Sequence, residues 1–171
     1  MIRRWLIRRA LRTPYLHLAG YMDRWWLVPY RATIVHADGG THGTGPVDGH
    51  RRPLAWLLQR LGIAVRVHHI LRSDSGRVPH DHPWPYLTVI LRGGYTEVRY
   101  DDRGFPTGRK WHGPGSVLFR RANSWHRLEL PEGQTAWTLF LTGRKEQTWG
   151  FMTLDGKVPY YQHKEGAHED Q

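Results

Sequence analysis

His80-Asp81-His82-Pro83-Trp84 is the stretch of this chain best equipped for chemistry. Side chains alternate along an extended strand, so His80 and His82 face the same way and bring two imidazoles to one point. Two imidazoles make a partial metal site, and the best candidate for a third ligand is His126. The chain has no cysteine, which excludes disulfides and thiolate zinc sites. A transition metal would then be held by imidazole, carboxylate or carbonyl groups. Imidazole suits iron, zinc, copper and nickel, and the chain has 12 histidines.

At 171 residues the chain is most economically one domain, long enough to bury a core without staples. No apolar run approaches the roughly 20 residues that span a bilayer, and the N-terminus lacks the apolar core of a secretory signal. The cytoplasm is the expected compartment. A formal charge of +10 favours anionic partners. Nucleic acid is disfavoured among them, because five arginines fall in Met1 to Arg12, three more at Arg51, Arg52 and Arg60, and the rest scatter without a recognition signature.

The elements that must position the histidines are short strands. Residues 63–71, 86–91, 94–100, 116–120, 125–130, 135–142 and 148–153 are rich in β-branched and aromatic residues, with Gly, Pro, Asp and Ser turns between them. Many short strands at regular spacing predict an all-β sandwich or barrel. Ahead of them, residues 2–12 form an amphipathic basic helix that turns Ile2, Leu6, Ile7 and Ala10 to one side, and Thr13-Pro14 stops it. Residues 15–30 are dense in aromatics, expected to pack on the main body. Residues 37–50, with five glycines, read as a loop, and His42 and His50 in it as solvated. A second helix is expected over Pro53 to Leu61, with Gly62 just past its end. The division expected is 1–62 as a helical and loop extension packed on the barrel, 63–162 as the barrel, and 163–171 as a disordered tail.

Around the histidines the spacing resembles the cupin superfamily, whose motifs run G-x5-H-x-H-x3or4-E-x6-G and G-x5-P-x-G-x2-H-x3-N. His80, His82 and Gly93 keep the first spacing, with Tyr86 in the glutamate slot; in the longer variant the slot is Leu87, closing on Gly94. Gly115 and His126 keep the second. Asp74 replaces the first leading glycine, Arg121 the proline, Asn123 the inner glycine and Leu130 the asparagine. Asparagine tolerates a left-handed backbone, so the turn before His126 is expected to survive. The strings HHILRS, HDHPW, GGY, GPGSVLFR, AWTLFLTG and TWGF are similar to a group of small single-domain cupins of bacteria and tailed phages that lack an assigned activity.

The resemblance implies a double-stranded β-helix, or jelly-roll barrel, with a metal on His80, His82 and His126. A tyrosine must lose a proton of pKa about 10 to ligate, so Tyr86 points to a neutral three-histidine site. That is the arrangement of thiol dioxygenases and related cupin oxygenases: iron(II) is the first expectation, with zinc, manganese or nickel as Lewis-acid alternatives. The reading is a metal-dependent dioxygenase on a small anionic or chelating substrate, with Tyr86 as a proton donor. A non-redox isomerase or lyase, and a binding protein without catalysis, are its rivals. Cupins often pair through barrel surfaces, so a homodimer is compatible with the reading. Only one of His68 and His69 can face the cavity, and neither is assigned as a ligand. Trp84 and Trp125 could wall the pocket or fill core. Arg72 and Arg121 could draw an anion to the barrel mouth, although solvated arginines in turns are the plainer reading.

Overall fold

Alternation sets the architecture. Tyr86, Thr88 and Ile90 are buried while Leu87 and Val89 are only half-buried, and in Ala136–Thr142 every second residue is buried. A period of two commits one side of each strand to a core. The computed structural model describes residues 1–28, 31–35, 41–46, 53–74, 78–154 and 156–162. They form α1 (Ile2–Ala10), β1 (Pro14–Leu18), β2 (Met22–Trp26), β3 (Arg31–Val35), β4 (Thr41–Pro46), α2 (Pro53–Leu61), β5 (Ala64–Ile70) and β6 (Tyr86–Arg92). There follow β7 (Tyr95–Tyr100), β8 (Pro106–His112), β9 (Val117–Arg120), β10 (His126–Glu129), β11 (Ala136–Thr142), β12 (Gly150–Thr153) and β13 (Gly156–Pro159).

One antiparallel sheet runs β1-β2-β5-β11-β6-β9 and a second runs β10-β7-β8. His80 extends the second sheet, bridging His126 on one side and Phe151 of β12 on the other. Ile70, Ile90, Leu118 and Ala136 of the first sheet meet Tyr95 and Leu128 of the second in the interior. This is the expected all-β jelly roll. On the outer face Leu6, Ile7 and Ala10 of α1 pack over Val67 and Leu91, as expected for the apolar side of the basic helix.

Several expectations need correction. Helix α1 ends at Ala10 rather than residue 12, and Ile2 is exposed rather than buried. Thr13 donates its N–H to the Ala10 carbonyl at 2.8 Å and its hydroxyl to the Trp26 carbonyl. As the residue before proline it also resists helical geometry. The aromatic segment after Pro14 supplies β1 and β2, hydrogen-bonded into the sheet beside β5. Strand β4 lies inside the glycine-rich stretch 37–50 expected as loop; it pairs with β3, since ladder bonds come from backbone and not from side chains. His50 and residues 163–171 lie outside the described residues, as does the side chain of His42. Strand β8 shows six exposed residues in a row, so no alternation announced it; β7 holds it at the sheet edge.

Gly93 turns β6 into β7 with φ of +68°, and a Cβ there would stand 2.0 Å from the Thr135 carbonyl oxygen. Gly93→Ala is expected to destabilise the fold by about 2–3 kcal/mol, read as a lower denaturant midpoint at unchanged slope. Asn123 does not adopt the left-handed backbone expected of it, since among the described residues only glycines have positive φ. The turn before His126 closes instead with Ser124 N–H donating to the Arg121 carbonyl at 3.1 Å.

Candidate metal centre

Backbone pairing places the three histidines. His80 and His126 exchange N–H···O bonds of 3.0 and 3.1 Å, which sets them directly opposite, and His82 N–H donates to the Ala122 carbonyl at 3.0 Å. Asp81, between them, points the other way. Its buried carboxylate accepts from Gly150 N–H (2.8 Å), Gln147 Nε2 (2.8 Å) and Lys157 Nζ, and these bonds pin the His80–His82 segment to the C-terminal strands. Asp74, at the first motif's glycine position, is also buried. It accepts from Tyr21 Oη (2.5 Å) and Leu128 N–H (2.7 Å), tying β10 to the turn before β2.

One ligand atom from each of His80, His82 and His126 falls in a group whose members all lie within 4.8 Å of one another. The Nε2 atoms of His82 and His126 are 2.9 Å apart. Metal–imidazole bonds of about 2.0–2.1 Å meeting near a right angle separate adjacent ligand nitrogens by about this much, so the pair fits one ion. Burial, then the neighbouring imidazoles of His126, His80 and His68, hold His82 well below the usual histidine range. It is therefore neutral at neutral pH, with a lone pair to give. The cluster could hold a divalent metal.

His126 has a positioning partner that sequence reasoning did not single out. Its Nδ1–H donates to Glu97 Oε1 at 3.2 Å, which leaves Nε2 as the lone-pair nitrogen facing His82. Arg120 clamps Glu97 with Nε on Oε1 at 2.9 Å and Nη2 on Oε2, and His112 Nε2 lies 3.5 Å from Oε2. Burial pushes the Glu97 carboxyl up, but the bonds from His126 and Arg120 more than reverse this and hold it well below the usual carboxylate range. The signal available was parity: Glu97 shares the inward side of β7 with Tyr95.

Tyr86 arrives where expected, its hydroxyl 3.3 Å from His126 Nε2 and its ring 4.5 Å from that of His82. Burial, then the charge on Glu97, pushes its phenol well above the ordinary value, so it keeps its proton.

His80, His82, His126 and Tyr86 line a cavity of about 470 Å³ between the sheets. Trp84 lines it, whereas Trp125 is buried outside the lining, with Lys157 over its ring. His68 faces in and His69 stacks outside on Trp137, as opposite parity requires. Arg72 and Arg121 are exposed and do not line the cavity. Arg24 and Arg66 do, and sequence reasoning passed over both, although Arg66 shares its parity with His68 and Ile70.

No protein-family model matches the chain, and no curated protein matches its sequence. Among solved structures it is similar to the polyketide cyclase RemF from Streptomyces resistomycificus, at 15% identity and a TM-score of 0.50 over 82% of this chain and 81% of that one. It is also similar to the vicilin from Solanum melongena, at 15% identity and TM-score 0.52 over 86% of this chain but only 33% of the vicilin. A cupin 2 conserved barrel domain protein from Rhodopseudomonas palustris matches at 13% identity and TM-score 0.48, covering 84% of this chain and 78% of that one. The likeness to RemF and to the vicilin is one of fold, a β-barrel here with three clustered histidines in its cavity. Among the described residues no helix is long and apolar enough to cross a membrane.

Proposed function

We propose that the chain is a metal-dependent cupin enzyme, a three-histidine non-haem iron(II) oxygenase acting on a small anionic or chelating molecule. The observation that carries the reading is the convergence of His80, His82 and His126 with no carboxylate in the group. A divalent ion held by His80, His82 and His126 would supply Lewis acidity, and iron(II) would add the capacity for oxygen chemistry. The protein's part is positioning. Glu97 fixes the tautomer of His126, and the neutral imidazoles leave the site its full positive charge. Tyr86 holds a proton at its hydroxyl beside His126 and is placed to donate it to an oxygen atom of a ligand in the cavity.

Anaerobically purified chain loaded with iron(II) is expected to take up oxygen with a pool of small carboxylic and chelating compounds. Tyr86→Phe is expected to slow that uptake about 100-fold while metal content stays unchanged. Iron bound at one equivalent with no uptake for any candidate would remove the oxygenase reading, and zinc or manganese retained instead would favour the isomerase or lyase.

A further inference from the structure

We propose that α1 and β9 together form a surface that docks on an anionic lipid membrane, with Ile2, Trp5, Val117 and Phe119 entering the headgroup boundary and the arginines of α1 meeting lipid anions. The surface lies on the outside of the barrel, so the inference stands apart from the triad and its cavity.

Strand parity brings the two elements to one face. Val117 and Phe119 pair with Val89 and Leu87 of β6, which alternate with the inward Tyr86, Thr88 and Ile90 and therefore point outward. Leu91 shares that outward side, and α1 packs over it. Along the sheet β9 is the edge strand next to β6. The N-terminal end of α1 reaches the turn that feeds β9, since a Cβ on Gly115 would stand 3.1 Å from Arg3 Nη2. Ile2 and Trp5, three residues apart, share one flank of that end of the helix.

Exposure marks the face as an interaction surface. Leu6, Ile7 and Ala10 already hold α1 on the sheet, yet Ile2 is 72% exposed and Trp5 61%, while Val117 and Phe119 are each 63% exposed. Large apolar side chains gathered in water from two adjoining elements are the usual sign of a partner.

Charge identifies the occupant. No acidic residue precedes Asp23, whose carboxylate lies 3.5 Å from His17, and none occurs between Asp102 and Glu129, the stretch that holds β9. The first stretch carries five arginines, of which Arg3, Arg4, Arg8 and Arg12 are exposed. Residues 1–73 hold 12 basic and three acidic residues, against 13 and 12 in the remainder, so nearly all of the net charge of +10 sits in the part that begins with α1. A helix with arginines toward solvent and Trp and Ile beside them is the pattern of one that lies in a membrane interface. The basic groups draw it to anionic headgroups, where the apolar side chains bury. A second copy on this face would set arginines against arginines, with no carboxylate in either stretch to offset them. Nucleic acid would meet the arginines and stack on Trp5 and Phe119, but it offers Ile2 and Val117 nothing to bury against. The acyl boundary takes all four.

Co-sedimentation of the full chain with vesicles of phosphatidylcholine alone, and of equimolar phosphatidylcholine and phosphatidylserine, tests the surface. Binding is expected to be at least about 10-fold tighter to the phosphatidylserine vesicles and to weaken steeply as salt rises. Arg4→Gln with Arg8→Gln is expected to weaken it by at least about 10-fold, and so is Trp5→Ser with Phe119→Ser. Both variants should keep the wild-type urea midpoint, because all four side chains are exposed. Should the pair of serines impair folding, Trp5→Ser alone takes its place. Equal binding to the two vesicles, or wild-type affinity for the phosphatidylserine vesicles in either folded variant, would overturn the surface. So would a single-stranded oligonucleotide whose binding is lost in the serine variant while vesicle binding is kept, or a dimer that the serine variant dissociates in a chain that binds neither vesicle.

Discussion

His126→Ala is expected to strip the chain of bound divalent metal. The substitution removes one of three imidazoles whose ligand atoms converge within 4.8 Å, and it is the one whose Nε2 lies 2.9 Å from that of His82. Losing a partner outside the ligand set costs metal sites about 10–100-fold in affinity, and losing a ligand should exceed that. The alanine also deprives Glu97 and Tyr86 of a contact, so a fall in affinity alone could reflect a disturbed barrel. His82→Ala supplies the control, because His82 makes no bond to Glu97 and its removal should leave the clamp with Arg120 standing. Elemental analysis after incubation with one equivalent of zinc or iron(II), followed by desalting, should find metal in wild type and little in either variant. Metal retained in both variants, with folding intact, would sink the triad.

How much of this site was readable depends on what each residue's role requires. His80 and His82 were legible because alternation along an extended segment is local, and Gly93 and Gly115 mark turns at fixed distances from the ligands. Tyr86, Thr88 and Ile90 followed from parity within one strand. Glu97 was not legible, because its role exists only where β7 pairs with β10 and brings His126 opposite Arg99, two residues along. Its other partner, Arg120, comes from β9, in the facing sheet. The arginines show the same limit. A sequence displays charge but not facing, so Arg72 and Arg121, near the motifs, were considered, while Arg24 reaches the cavity only because β2 pairs with β5. Strands β1 and β8 escaped for a related reason: edge strands are held by backbone bonds to a neighbour, and their side chains need not alternate.

Glu97→Gln tests whether the positioning of His126 is electrostatic. The amide is close in shape to the carboxylate and retains one acceptor, but it loses the charge that meets Arg120 and the second oxygen that completes the clamp. Removing one partner of a buried ion pair costs about 3–5 kcal/mol; Arg120 keeps some contact with solvent, which places the expected loss of stability nearer about 3 kcal/mol. Metal affinity is expected to fall about 10–100-fold, the usual effect of removing the group that orients a ligating histidine. The pH dependence has a definite sign. Burial raises the Glu97 carboxyl, the His126 and Arg120 bonds lower it further, and the folded value ends well below the ordinary 4.5. A depressed folded value contributes stability that is complete above the unfolded value and is lost as pH falls toward the folded one. The stability gap between wild type and Glu97→Gln should therefore be constant near neutrality and shrink below about pH 4.5, measured by urea unfolding of metal-free protein across that range. A gap that is absent at pH 7 would mean that the carboxylate's charge does not hold His126 in place; a gap that persists undiminished to pH 3 would assign the loss to packing.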